Sequence, residues 1–138
     1  MANYVAMART NYFKVKDVEA FKKFVETLGD AELIEDTQDG EMLYGIIFDE
    51  QGIPSDRFYT NDAGEEVEEE DINFPALLAE HLVEGWVAEL REVGFEKMRY
   101  LIGLAILVNS KGQRREVHLD DISKKGKALG EHYTDCSY

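Results

Sequence analysis

The residues of this chain best suited to chemistry are carboxylates, and they are densest in one short segment: Glu65, Glu66, Glu68, Glu69, Glu70 and Asp71. Alternate side chains of a strand project from one face, so Glu66, Glu68 and Glu70 are predicted to form a row with steps of about 6.7 Å. Such a row can occupy a basic channel, because B-DNA presents its charges at about 3.4 Å of axis per strand. We therefore predict that these six residues bind a partner.

Negative charge is concentrated in the middle of the sequence. Residues 30–96 hold 21 acidic and two basic side chains. The flanking segments are net basic, with three acidic and five basic side chains in residues 1–29 and five acidic and eight basic side chains in residues 97–138. Phosphate contacts need Lys and Arg, so ordinary nucleic-acid binding through the middle segment is excluded. Solubility, edge-strand protection and a favourable charge before a helix are structural explanations of the same acids. They account less well for the full count, because like charges repel in the compact state.

Histidine and cysteine offer further candidate chemistry. His81 lies three residues before Glu84, and His118 precedes two aspartates, spacings that can bring nitrogen and carboxylate ligands to a metal ion. A structural or solvated role is the favoured interpretation of both. Cys136 and His132 lie in a terminal segment with nothing to hold the two side chains together. The sequence contains no calcium loop, phosphate loop or nucleophile elbow, so an enzyme would have to be an unusual one, and we expect no cofactor.

Basic side chains form two more candidates. Arg9 and Asn11 share a face of the first predicted strand and can recognise a carboxylate, although the favoured interpretation is that Arg9 balances acids on a neighbouring strand. A basic cluster near the C-terminus consists of Lys111, Arg114, Arg115, Lys124, Lys125 and Lys127. It is predicted to be a solvated face, with contact to an acidic partner or to a second copy's acidic middle as the alternative.

Length and periodicity predict the elements that position these groups. With 44% hydrophobic residues in 138, the chain can build an ordinary core. Predicted strands cover 4–15, 31–37, 42–48, 57–60, 65–69, 86–95, 100–108 and 113–119, and helices cover 17–28, 73–85 and 122–129. This order indicates a single α+β domain at 1–130, largely antiparallel sheet with two to three helices packed on it, and a flexible tail at 131–138.

Two of these elements carry more detailed expectations. The run from Tyr100 to Val108 is apolar on both faces when it is read as a strand, so it is predicted to be a central strand buried on two sides. Gly103 has no side chain and should let a helix approach closely. In the hairpin around Asn61, we expect Phe58, Tyr59 and Val67 to be the residues able to face a core.

Cysteine usage and hydropathy bear on location. Cys136 is the one cysteine, so an intrachain disulfide is impossible and a reducing compartment is the simpler expectation. The first fifteen residues lack a continuous apolar segment, which argues against a secretory signal. The longest apolar run is too short for a membrane span. We expect a cytoplasmic protein without a membrane partner.

Two short blocks of sequence carry a family resemblance. They are Ala2-Asn-Tyr4 with Ala6-Met-Ala-Arg-Thr-Asn-Tyr-Phe13, and Gly94-Phe-Glu-Lys-Met-Arg-Tyr-Leu101. They resemble uncharacterised small acidic proteins encoded by bacterial mobile elements, namely phages, plasmids and conjugative elements. The resemblance implies a setting in which small acidic proteins inhibit host restriction or CRISPR nucleases, and it transfers no site residue.

These patterns lead to one predicted function and two alternatives. We predict a non-catalytic acidic binding protein that engages a basic protein surface, in its sharpest form a DNA-mimic inhibitor of a host DNA-processing or defence enzyme. The first alternative is a self-associating scaffold module, a homo-oligomer held by the basic cluster and the acidic middle. The second is a metal-dependent hydrolase using His81 or His118.

Overall fold

The computed structural model describes residues 4–48, 52–96, 100–134 and 136. The strands are β1 (Tyr4–Thr10), β2 (Glu32–Gln38), β3 (Glu41–Phe48), β4 (Asp56–Thr60), β5 (Glu66–Glu70), β6 (Val87–Glu96), β7 (Tyr100–Asn109) and β8 (Arg114–His118). The helices are α1 (Val18–Glu26), α2 (Phe74–Ala79) and a 3₁₀ helix (Leu119–Ala128). Every strand pairing among the described residues is antiparallel, in agreement with the predicted α+β class. Positions 135, 137 and 138 of the predicted tail lie outside the described residues.

The strands form two separate sheets. Six of them pair in the order β2-β3-β1-β6-β7-β8, while β4 and β5 form a two-stranded hairpin. The predicted turn at Asp39 and Gly40 joins β2 to β3, and both residues have positive φ, 52° and 79°. This is the conformation that a two-residue hairpin loop favours, which explains the Asp-Gly dipeptide.

Helix α1 begins where the sequence predicts. The Asp17 side chain accepts a hydrogen bond of 3.1 Å from the Ala20 backbone N–H, satisfying a donor that has no partner within the first turn. Its buried residues are Phe21, Phe24 and Val25, which recur at helical spacing. They belong to the same hydrophobic core as the six-stranded sheet, so α1 packs on one face of that sheet.

Helix α2 covers the same face beside α1. Its Phe74 ring stacks on Phe24 at 5.8 Å and meets the edge of Phe48 at 5.3 Å between ring centroids. Burying each ring contributes on the order of 2 kcal/mol. These three rings therefore join both helices to β3 in one core.

Strand alternation gives the six-stranded sheet two different faces. On β1, Ala8 and Thr10 are buried toward the helices, whereas Met7 and Arg9 are exposed on the other side. We call the side covered by α1 and α2 the inner face and the opposite side the outer face. On β6, Leu90 is buried in the same way on the inner face.

The prediction of a central strand buried on two sides is wrong for β7. This strand lies fifth in the order, and its outer-face residues Leu101 and Leu107 are 57% and 41% exposed. The expectation that Gly103 admits a helix closely is confirmed in one contact, because its close neighbour is Leu119, the first residue of the 3₁₀ helix. Apolar alternation shows that a face is able to be buried, not that another element covers it.

Several predicted boundaries also differ from the structure. Strand β1 ends at Thr10 rather than Val15, and the chain beyond it makes isolated bridges at Phe13 and Val15. Helix α2 ends at Ala79, before the predicted Gly85, and the C-terminal helix is a 3₁₀ helix that begins directly after β8. Tertiary contacts decide how far such ends extend, so local patterns place them poorly.

Candidate functional site

The candidate site is the exposed face of the β4–β5 hairpin. The cross-strand pairs on this face are Thr60 with Glu66, Phe58 with Glu68, and Asp56 with Glu70. The three glutamates are exposed. We call Glu66, Glu68, Glu70 and Asp56 the acidic row. Its three glutamates follow one another along β5 at the step of about 6.7 Å that strand alternation produces.

The turn of this hairpin is fixed by a side chain. The Asn61 Oδ1 atom accepts hydrogen bonds from the backbone N–H groups of Ala63 at 3.0 Å and Glu65 at 2.9 Å. Gly64 has a φ of 80°, which a residue with a side chain rarely adopts. Asparagine and glycine are typical of such turns, so the sequence around Asn61 holds β4 and β5 in register.

Side-chain contacts on the opposite face stabilise the hairpin, and a backbone hydrogen bond from β4 attaches it to α1. The Arg57 Nε lies 2.6 Å from the Glu69 Oε2, and the Arg57 guanidinium lies 5.2 Å from the centre of the Tyr59 ring. The Phe58 backbone N–H donates to the Thr27 carbonyl at 2.9 Å, at the end of α1. The acidic row is therefore presented on a hairpin anchored to α1.

The structure brings three of the six predicted partner-binding residues together and places the other three elsewhere. Three of them, Glu66, Glu68 and Glu70, lie in the acidic row. Glu69 belongs to the opposite face, where it pairs with Arg57. Of the other two, Glu65 lies at the turn and Asp71 leaves β5 with a φ of 54°.

The sequence interpretation did not assign Asp56 or Phe58 to this surface. Phe58 was expected to be able to face a core, yet it is 52% exposed beside Glu68, while Tyr59 is half-buried. Strand alternation contained the signal, because neighbouring residues of β4 cannot both point inward. The site is therefore an acidic strip with an exposed aromatic ring within it.

A small cleft connects this hairpin to the acidic edge of the main sheet. The cleft has a volume of about 170 Å³ and is lined by residues that include Leu28, Asp30, Asp56 and Phe58. Strand β2 follows Asp30 at the edge of the sheet and exposes three more acids, Glu32, Glu35 and Asp36. The acidic middle of the sequence therefore spreads over two neighbouring hairpins.

A carboxylate fixes the loop that lines one side of this cleft. Glu92 of β6 accepts hydrogen bonds from the Tyr4 hydroxyl at 2.8 Å and from the Ile53 backbone N–H at 2.5 Å. Burial, and then the hydrogen bond and negative charge of Glu92, raise the pKa of Tyr4 to about 12. We call these three groups the Glu92 clamp. It ties the loop after β3 to the sheet.

The histidines occupy ordinary structural environments. The His81 ring stacks on Phe24 at 4.6 Å and meets Phe21 at 5.6 Å, and burial lowers its pKa. The exposed His118 lies 3.9 Å from a carboxylate oxygen of Glu116. Within the described ranges, no three His, Cys, Asp or Glu side chains converge as a metal ion would require.

The basic candidates make local contacts. The residues directly opposite Arg9 are Arg91 on β6 and Ile47 on β3, not the acid that the sequence interpretation favoured. The nearest acid along β6 on that face is Glu89, which lines the same cleft as Arg9. Of the basic cluster, Arg114 pairs with Glu116 at 2.7 Å. Lys124 similarly lies 3.7 Å from Asp121, and nothing is described of the Lys127 side chain.

Fold and site together define a small acidic α+β protein with a projecting carboxylate strip. Comparison with protein-family models, with curated proteins and with solved structures found no match. In the part of the chain that the structure describes, none of the helices has the length and apolarity needed to cross a membrane.

Proposed function

We propose that this chain is a non-catalytic binding protein whose acidic row engages a basic protein surface. The observation that carries the proposal is the alignment of Glu66, Glu68 and Glu70 on the exposed face of β5, beside Asp56. The hairpin presents these charges on a backbone fixed by the Asn61 turn and the anchor to α1. A fixed array loses less conformational freedom on binding than flexible carboxylates do.

The sharpest form of the proposal is imitation of DNA. A protein channel that binds DNA carries Lys and Arg at the spacing of phosphates, and the glutamate row offers one charge for about every second phosphate position of a strand. The exposed Phe58 ring within the strip supplies an apolar contact of the kind that dominates many interfaces. The target would be a DNA-processing or defence enzyme, in the mobile-element setting that the sequence resemblance implies. We further propose that residues 1–130 act as one domain and that the protein works in the cytoplasm.

The test measures displacement of labelled duplex DNA from purified nucleases, using restriction endonucleases and a guide-RNA nuclease as the probes. We expect the unmodified protein to displace DNA from at least one of them. The triple variant Glu66→Lys, Glu68→Lys and Glu70→Lys should weaken this displacement by about a hundredfold, because each reversal replaces an attraction with a repulsion.

The β2 edge provides a control with the same change of net charge. Glu32→Lys, Glu35→Lys and Asp36→Lys alter three exposed acids outside the acidic row and should retain most of the displacement. Circular-dichroism melts establish that both triple variants fold. Equal losses in the two variants would show that overall charge, rather than the row, is responsible. An unaffected row variant would refute the proposal.

A further inference from the structure

We infer that the outer face of the six-stranded sheet is a contact surface for a second copy of this chain. The surface is built by β1, β6, β7 and β8, on the side away from α1 and α2. We call it the outer apolar face and define it by Val5, Met7, Val93, Phe95, Leu101 and Val117. It is a different surface from the acidic row, and the inference does not depend on the proposed function.

The register makes this surface continuous across the strands. Val5 lies opposite Phe95, and Phe95 lies opposite Leu101, which forms one apolar line across β1, β6 and β7. The adjacent line runs from Met7 to Val93. Large apolar residues are therefore neighbours in space, although they come from distant parts of the sequence.

The exposed area is large for a protein that works alone. Taking about 150 Å², the lower end of what an aromatic side chain buries, as the full surface of each residue, exposed fractions of 40% to 65% leave about 60 to 100 Å² open on each of the six. The total of about 500 Å² lies in the upper part of the range of the largest patches found on monomers. Adding the exposed Leu107 and Leu119 gives about 650 Å², which is close to the roughly 600 Å² that each partner contributes to the smallest stable interfaces.

Charge distribution favours a second copy as the occupant. The chain carries a net charge of −14, so most of its surface repels another copy. The outer face differs at β1, β6 and β8, where its charged residues are Arg9, Arg91 and Arg115, with Glu89 bound to Arg91. The acid Glu32 lies on the same side of the sheet, but on β2, at the edge farthest from β7 and β8. Two copies that meet through β1, β6, β7 and β8 bring apolar surface together and leave the acidic β2 edge at the margin of the contact.

The geometry suits a twofold arrangement. Two sheets pack face to face at about 10 Å with their strands nearly aligned, and a twofold axis brings the same surface of each copy into contact. The β4–β5 hairpin is attached to α1 on the inner side. Both acidic rows therefore stay accessible in such a dimer, which would make it bivalent for a basic partner.

The experiment is sedimentation velocity on the full chain at about 1 to 200 µM, a range that covers micromolar dissociation constants. We expect a monomer–dimer equilibrium. The double variant Met7→Lys and Val93→Lys places charges at the centre of the face, so we expect the dissociation constant to rise at least about a hundredfold. Met42→Lys is the control. Met42 is also an exposed methionine, but it lies on β3 in step with the inner-face residues Tyr44 and Ile46, so its substitution should leave the dissociation constant of the dimer unchanged.

Two further readouts separate this inference from the alternatives. An apolar interface between acidic chains should persist when salt is raised from about 0.1 to 1 M, which screens the repulsion between them. Dissociation at high salt would instead indicate contact between the basic cluster and the acidic middle, and would overturn the inference. A monomer over the whole concentration range, or a dimer unaffected by the double variant, would also overturn it. DNA displacement by the folded monomeric double variant tests the proposed function separately.

Discussion

The Glu92 clamp is the part of the molecule where a single substitution should separate the loop after β3 from the sheet. Glu92→Ala removes a carboxylate that accepts hydrogen bonds from the Tyr4 hydroxyl and the Ile53 backbone N–H. Both donors come from distant parts of the chain. Gly52 lies against the same carboxylate, so the loop is shaped around the Glu92 side chain. We expect the variant to remain folded but to lose this attachment.

The magnitude follows from the two lost hydrogen bonds. A hydrogen bond to a charged acceptor contributes about 1.5 to 3 kcal/mol when it is well shielded. Glu92 and both of its donors are half-buried, so water can replace part of each interaction. We therefore expect Glu92→Ala to lower the free energy of unfolding by about 2 kcal/mol, and Tyr4→Phe to lower it by about 1 kcal/mol. In the double variant the two losses should be less than additive, because both remove the same contact.

Urea denaturation, followed by circular dichroism and by fluorescence of Trp86, measures the change in unfolding free energy. Hydrogen exchange of the Ile53 amide gives a local readout, and its protection should fall in Glu92→Ala. The Leu90 amide, elsewhere on β6, is the reference: its protection should change only by the amount that the free energy of global unfolding changes. A loss of less than about 0.5 kcal/mol, within the range of an ordinary surface substitution, would refute the reasoning. Unchanged exchange at Ile53 would refute it as well.

Two further predictions concern pH and packing. The folded-state pKa of Tyr4 is raised from 10.0 to about 12, so the contribution of the neutral hydroxyl to the free energy of unfolding is present below pH 10 and is lost as pH rises toward 12. Tyr4→Phe should remove this alkaline loss of stability, as measured by urea denaturation at a series of alkaline pH values. Burial is the main cause that lowers the folded-state pKa of His81 from 6.5, so the unfolded chain binds the proton more readily and the free energy of unfolding should fall as pH drops through 6.5. His81→Phe should reduce this fall, as measured by thermal melts between about pH 7 and 5. If the alkaline loss of stability remains in Tyr4→Phe, the assignment to Tyr4 is wrong, and if the fall between about pH 7 and 5 remains in His81→Phe, the assignment to His81 is wrong.

Local sequence signals predicted the elements whose determinants lie within a few residues. Asp17 marks the start of α1 through its capping hydrogen bond, and the Asp39-Gly40 dipeptide marks the β2–β3 turn through its positive φ angles. The alternation of glutamates in β5 was predicted in the same way, because strand geometry alone determines it.

Features that depend on distant contacts could not be predicted. The apolar pattern of β7 is the same whether its outer face is covered or open, so the sequence gives no means of identifying Leu101 as exposed. Arg9 was assigned an acidic neighbour, although the register places Arg91 beside it. Glu69 falls in the acidic run but pairs with Arg57, a partner that only the hairpin register reveals. In each case the pairing of strands, not the local sequence, determines the environment.

The distribution of charge links the two proposed surfaces through their response to salt. Residues 30–96 supply the hairpins that carry the acids, whereas β1, β7 and β8, which build most of the outer apolar face, come from the two segments of net positive charge. Screening weakens the attraction between the acidic row and a basic partner, but it also weakens the repulsion between two copies of the chain. Rising salt should therefore weaken direct binding of the protein to a nuclease, measured without DNA because salt by itself releases DNA from the enzyme, while leaving the dimer intact or strengthening it. Because one variable shifts the two equilibria in opposite directions, a single salt series distinguishes a binding surface made of charge from one made of apolar contact.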